Sequence, residues 1–298
     1  MSPVEIRHPR ADEAEAAVEV LNEHSRRLYG TDDMTAAELE EGWRAPEVAF
    51  PDDILVAEAD GRLVGYADVI PHGESAWLDV RGTDPAAYRP LIEAIAERAG
   101  AHETAHVRGW APEQDSELHE AYEQAGFRPF RHSFRMEIDL AGELNEPTWP
   151  DDFTVRSFRA GDERAAYDAH MDSFGDTWGF THDPYETWAH WNLGEYFQPA
   201  HWFFVETGDE VAAIALCRER ESQPGLGWVD ILGVRPAYRR RGLAIALLRH
   251  VFRHFAELRL NRVGLGVDAE NPTGAVRLYE RAGMHVARRD IRFERVTG

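Results

Sequence analysis

The chain has 298 residues, of which 43% are apolar, and a formal net charge of −22. That length exceeds the usual single domain, so two domains are expected. The acidity weighs against nucleic acid and anionic membrane as partners, because both repel such a surface.

In chain order, the first half runs from VEIRHP (Val4 to Pro9) through ADGRLVGYADV, AWLDV and LHEAYEQAGF to FRMEIDL (Phe134 to Leu140). The turn-rich AGELNEPTWPDD, Ala141 to Asp152, marks a junction. Beyond it FTVRSF reads as a strand, DERAAYDAHMDSF as a helix and PYETWAHWNLGEYF as a second helix. HWFFVET and EVAAIALCRER read as a hairpin joined through Gly208-Asp209, and GWVDILGV follows as a strand. LAIALLRHVFRHFAEL has apolar residues at helical spacing. RVGLGVDA is a further strand, GAVRLYERAG a short helix, and HVARRDIRFERV a last strand or two.

The two halves resemble one another. LHEAYEQAGF and VRLYERAGM align Tyr122 with Tyr279 and Gly126 with Gly283, and upstream AWLDV matches GWVDI, pairing Asp79 with Asp230. The same order in both halves indicates a duplicated domain, residues 1–145 and 146–298, each a mixed α/β fold with a central mixed sheet flanked by helices. The second half is about six residues longer between its aspartate and its tyrosine, in the region of YRRRGLA. The first half has RGTDPAAYRPL there, without the arginine-glycine cluster, which suggests one functional and one degenerate copy.

Several chemistries are excluded. Lysine is absent, so neither a lysine Schiff base nor a phosphate-loop lysine is available. Cys217 is the single cysteine, so no internal disulfide or cysteine zinc site forms, and its alternating apolar context reads as a buried structural thiol. MSPVEIRHPRADEAE lacks a signal-peptide pattern and no apolar run is long enough to span a membrane, so a cytoplasmic protein is expected.

The sequence strand, arginine-glycine loop, helix describes an anion seat. The first amides of a helix lack intrahelical acceptors and carry partial positive charge, and Gly242 lets a ligand approach the backbone. Arg239, Arg240 and Arg241 add charge. A solvated basic turn is the plainer alternative for the loop taken alone.

LGVRPAYRRRGLA resembles the acetyl-CoA-binding signature of the GNAT N-acetyltransferases, at Val234, Pro236, Arg239, Gly242 and Ala244. ENPTGAVRLYERAGM resembles the family's second signature, at Asn271, Tyr279 and Gly283. The resemblance is specific in the second half and mainly topological in the first, as in tandem members of the family. It implies that amides from Arg240 through Gly242 and Leu243 to Ala244 hold the pyrophosphate of acetyl-CoA, bound as co-substrate. Backbone groups of Leu232, Gly233 and Val234 would pair with the pantetheine arm, and Asn271 would bond the cofactor or cap the next helix. Tyr279 would protonate the departing thiolate, although its repeat partner Tyr122 admits a packing role for both.

Family members often carry an acid where this chain has Trp228. Asp230 lies on the same face by alternation and is a candidate general base or amine ligand, with a structural role left open by its partner Asp79. No metal is required. The acceptor would be a small-molecule amine, and Phe174 to Trp202, rich in aromatics and acids, is its expected wall, with Trp178, Tyr185, Trp188 and Trp191 as lining candidates. A CoA-binding module without catalysis is the alternative function, and monomer and homodimer stay open.

Overall fold

A computed structural model describes residues 3–296. The first half contains β1 (Glu5–Arg7), α1 (Ala14–Tyr29), α2 (Ala36–Trp43), β2 (Ile54–Ala59), β3 (Arg62–His72), β4 (Ser75–Gly82), α3 (Tyr88–Ala99), β5 (His106–Pro112), α4 (Ser116–Gln124) and β6 (Arg128–Asp139). The second repeats the order with β7 (Thr154–Ser157), α5 (Glu163–Phe174), α6 (Tyr185–Leu193), β8 (Trp202–Thr207), β9 (Glu210–Glu219), β10 (Leu226–Val234), α7 (Leu243–Glu257), β11 (Arg262–Asp268), α8 (Ala275–Ala282) and β12 (His285–Val296). HVARRDIRFERV is therefore one strand.

The chain forms two compact units that are not contiguous in sequence. One comprises Met1–Ser133, Glu221–Gln223 and Arg289–Gly298; the other comprises Phe134–Arg220 and Pro224–Arg288. The strand order in the first is β1-β2-β3-β4-β5-β12, and in the second β6-β11-β10-β9-β8-β7. Each unit thus takes its sixth strand from the other half of the sequence. Asp290 to Val296 of β12 pair antiparallel with Pro112 to His106 of β5. Ser222 and Gln223, from the turn after β9, bond Asp33 of the first unit.

In each unit the helices cover both faces of the sheet. In the second, Ala213, Ala215 and Cys217 of β9 belong to the core with α7, and Ile214 and Leu216 to the core with α5 and α6. Such two-sided burial explains the near-continuous apolar run of β9. The α7 stripe of Leu243, Ala246, Leu247, Val251, Phe252 and Phe255 is wholly buried, worth roughly 1.5–3 kcal/mol for each large side chain. α7 is the crossover that makes β10 and β11 parallel, and it starts at the loop of interest.

Candidate active site

The ladder of β10 on β9 carries a bulge. Trp228 faces Arg218 and Val229 faces Cys217, but Ile231 faces Leu216, which leaves Asp230 as the extra residue. Val229 belongs to the core under α7 and Ile231 to the core under α5 and α6, so the alternation resets at Asp230. The parallel register with β11 ends at Val229–Leu265. Leu232 to Val234 pair with β9 on one side and, toward β11, lie beyond that register. In the first unit Asp79 stands in register opposite Asp68 without a bulge.

After β10, Pro236–Tyr238 form a short 3-10 turn and the chain passes through Arg240 at φ 62° and Gly242 at φ 84°, both left-handed. Gly242 is the N-cap of α7 and offers no side chain; a Cβ there would meet nothing within 4 Å. The first helical bond is the Ala246 N–H to the Gly242 carbonyl, so the amides of Leu243, Ala244 and Ile245 precede it. Gly274, at φ 77°, likewise caps α8 without a side-chain bond.

A cavity of about 450 Å³ joins these features. Leu232, Val234, Arg239, Arg240, Gly242, Leu243 and Ala244 line it from β10 and the loop, and Asn271 and Tyr279 from the α8 side. Gly233, Arg241 and Asp230 do not line it. Gly233 packs against Ser173, where a Cβ would come within 2.9 Å. The Arg241 guanidinium lies over Phe153 and Tyr238. The Asn271 side-chain oxygen accepts from the Thr273 amide at 2.9 Å and its hydroxyl at 2.6 Å, which fixes the turn before α8 rather than capping the helix. Ser173 and Arg281, not singled out in the sequence, also line the cavity, as do Phe174 and Thr177 from the segment expected to form the acceptor wall.

Tyr279 is 9% exposed, and burial pushes its pKa up to about 12. Its hydroxyl keeps its proton at neutral pH and is suited to donate it. Tyr122 is wholly buried, stacked on Phe293 at 5.0 Å and pressed against Gly109. The corresponding residue of β11 is Leu265, part of the core.

Asp230 opens on a second cavity of about 230 Å³, with Trp191, Asn192, Tyr196, Trp202, Leu216, Cys217 and Arg218. Arg218, unremarked in the sequence, lies 3.3 Å from the Asp230 carboxylate. Of the expected aromatic wall, Trp191 is 43% exposed and lines this cavity. Trp188 is core: it stacks with Tyr185 and donates its indole N–H to His170 at 2.9 Å. Trp228 lies on Gly264 between the guanidiniums of Arg135 and Arg220, at 5.0 and 5.6 Å, a packing role. Cys217 is buried, and burial, reinforced by Asp230, raises its thiol pKa, as expected of a structural cysteine.

In the first unit acidic side chains occupy the turn before α3 and the N-terminus of α4. Asp84 accepts from the Ala86 amide ahead of α3, and Asp115 caps α4 by accepting from the Leu118 amide. Asp115 also bonds His24 at 2.8 Å and Tyr88 at 3.2 Å, with Arg27 3.3 Å away.

Two glycine-capped helix N-termini and a buried tyrosine thus share one cavity, beside a strand that is bulged against its antiparallel neighbour and parallel to the other. The model of the acetyltransferase (GNAT) family matches residues 164–284. The mycothiol acetyltransferase of Kineococcus radiotolerans is 32% identical over 255 residues, 80% of each chain. A GCN5-related N-acetyltransferase from Sphaerobacter thermophilus superposes with a TM-score of 0.81 at 28% identity, covering 99% of this chain and 97% of that one. A tandem GNAT protein from the clavulanic acid biosynthesis pathway shares the fold, with a TM-score of 0.75 over 99% of both chains at 13% identity. The chain belongs to the GNAT family, in its tandem form, and is an N-acetyltransferase that transfers an acetyl group to an amine.

Proposed function

We propose that the reaction takes place in the second half, residues 146–298 completed by β6, and that acetyl-CoA occupies the cavity between the N-termini of α7 and α8. The observation that carries this reading is the pair of glycine-capped helix N-termini sharing one cavity with Tyr279. The amides from Arg240 to Ala244 receive the pyrophosphate, with Arg240 and Arg281 adding charge. Backbone groups of Leu232 to Val234, beyond the β11 register, pair with the pantetheine arm as an added strand would.

The acceptor is a small-molecule amine that enters from the cavity of Trp191, Arg218 and Asp230, two residues along β10 from Leu232. Its neutral nitrogen attacks the thioester carbonyl, and Asp230 or a water takes the amine proton. A strand amide supports the oxyanion. The C–S bond then breaks and Tyr279 gives its proton to the departing thiolate, which leaves an amide and a free thiol. The first half, residues 1–145, acts as a scaffold with a degenerate loop, since Asp115 already holds the N-terminus of α4 and Asp84 closes the 3-10 turn that replaces the arginine-glycine loop ahead of α3. No step requires a metal or Cys217. The relatives named mycothiol acetyltransferase support an amine as the acceptor.

Calorimetric titration with acetyl-CoA tests the reading: one site per chain is expected. Two sites, or none, would refute it.

A further inference from the structure

The arginine at the first position of the loop signature has few donors left for a ligand. The Arg239 guanidinium donates from Nη1 and Nη2 to the two carboxylate oxygens of Asp176, at 2.5 and 2.8 Å. Nη2 also donates to the Ser173 carbonyl at 2.9 Å, and Nε to the Val234 carbonyl at 3.2 Å. A guanidinium has five N–H donors, so these contacts occupy most of them. Two neighbouring contacts join the same pieces of chain. Arg235 lies 3.5 Å from Asp172, and Gly233 packs directly on Ser173. The end of α5 is thereby tied to the end of β10 at three points, and the tied segment supplies cavity wall through Ser173, Phe174 and Thr177.

We propose that Arg239 is a positioning residue and not a phosphate ligand: clasped to Asp176, it holds the end of α5 as the wall of the cofactor cavity facing Leu232 and Val234. The proposal rests on the reading that this cavity takes acetyl-CoA. A planar fork bonded to a carboxylate and two carbonyls fixes both distance and orientation, which a lysine point charge does not. Anion binding then falls to the loop amides with Arg240 and Arg281, which share the cavity.

The two roles predict opposite effects at Asp176. If Arg239 were a phosphate ligand, Asp176→Asn would free it and leave acetyl-CoA binding unchanged or tighter, and Arg239→Lys would keep most of the affinity. As a clamp, Asp176→Asn, Arg239→Lys and Arg239→Gln each weaken acetyl-CoA binding by about tenfold, and the double variant Asp176→Asn/Arg239→Gln is no worse than either alone. Calorimetric titration of the full chain with acetyl-CoA measures this, with thermal unfolding recorded for each variant. Asp176 is more than half exposed, so its variant stays folded if those of Arg239 do not. Unchanged or tighter binding by Asp176→Asn overturns the proposal, as does retained affinity in Arg239→Lys. Wild-type protein that binds no acetyl-CoA would instead refute the assignment of the cavity.

Discussion

Gly242 and Gly274 hold the same station on two helices: each is the left-handed N-cap of a helix whose first turn lines one cavity, and neither supplies a capping side chain. The Asp115 carboxylate closes the N-terminus of α4 instead. A capping carboxylate and a bound phosphate compete for the same amides, so the cap residue decides whether a helix end is an anion site.

Gly242→Glu brings a carboxylate and a Cβ to that station. Acetyl-CoA affinity is expected to fall at least tenfold, while the left-handed φ costs about 1 kcal/mol of stability. Calorimetric titration and chemical denaturation separate the two effects. Binding equal to wild type would remove the loop amides from the site.

Tyr279→Phe is expected to lower kcat by about a hundredfold with little change in acetyl-CoA binding, because it removes a proton donor and keeps the ring. Tyr122→Phe, at the buried repeat position, should leave kcat unchanged. Thiol release with an amine panel measures both. With its pKa at about 12, Tyr279 should produce no fall in kcat below about pH 10. An unchanged kcat in Tyr279→Phe would assign the tyrosine to packing alone.

Acidification should destabilise the second unit through its partly buried histidines. Burial lowers the pKa of His170 to about 4, and burial with the nearby His201 and His250 lowers that of His254 to about 4. The native state holds both neutral while the unfolded chain protonates them near 6.5. The unfolded state therefore binds more protons between about pH 6.5 and 4, and stability is lost as the pH is lowered through that window. Above it these histidines have no effect. Denaturation midpoints across the window check this, and His254→Gln should flatten the slope.

Cutting the chain between residues 145 and 146 should give two poorly folded pieces. The second piece would lose Phe134 to Asp139, including the buried Met136 and Glu137, which bonds Arg135 and Arg262. The first would lose β12 and expose the edge of β5. Aggregation of each piece alone, and recovery on co-expression, is the expected outcome by size-exclusion chromatography. Two soluble, cooperatively unfolding pieces would show that the strands from the other half are dispensable.

The duplication, the helix and strand order and the loop signature were legible in the sequence, because apolar periodicity and the glycine-arginine pattern are local. Asp230 was singled out by its type and place on a strand, but its bulge was not legible, since a bulge is defined by the partner strand. The exchange of β6 and β12 between units escaped a linear division because strand pairing depends on which edge lies open in space. Trp188 and Trp191 look alike in the sequence, yet only packing sends one to the core and the other to a cavity. Arg239 is the clearest case. Its residue type and spacing set an arginine at the loop, while Asp176, 63 positions away, determines where its donors point. The sequence by itself determined which backbone can form an anion seat; the tertiary structure decided which side chains are free to serve it, because hydrogen-bond donors are finite and distant partners claim them first.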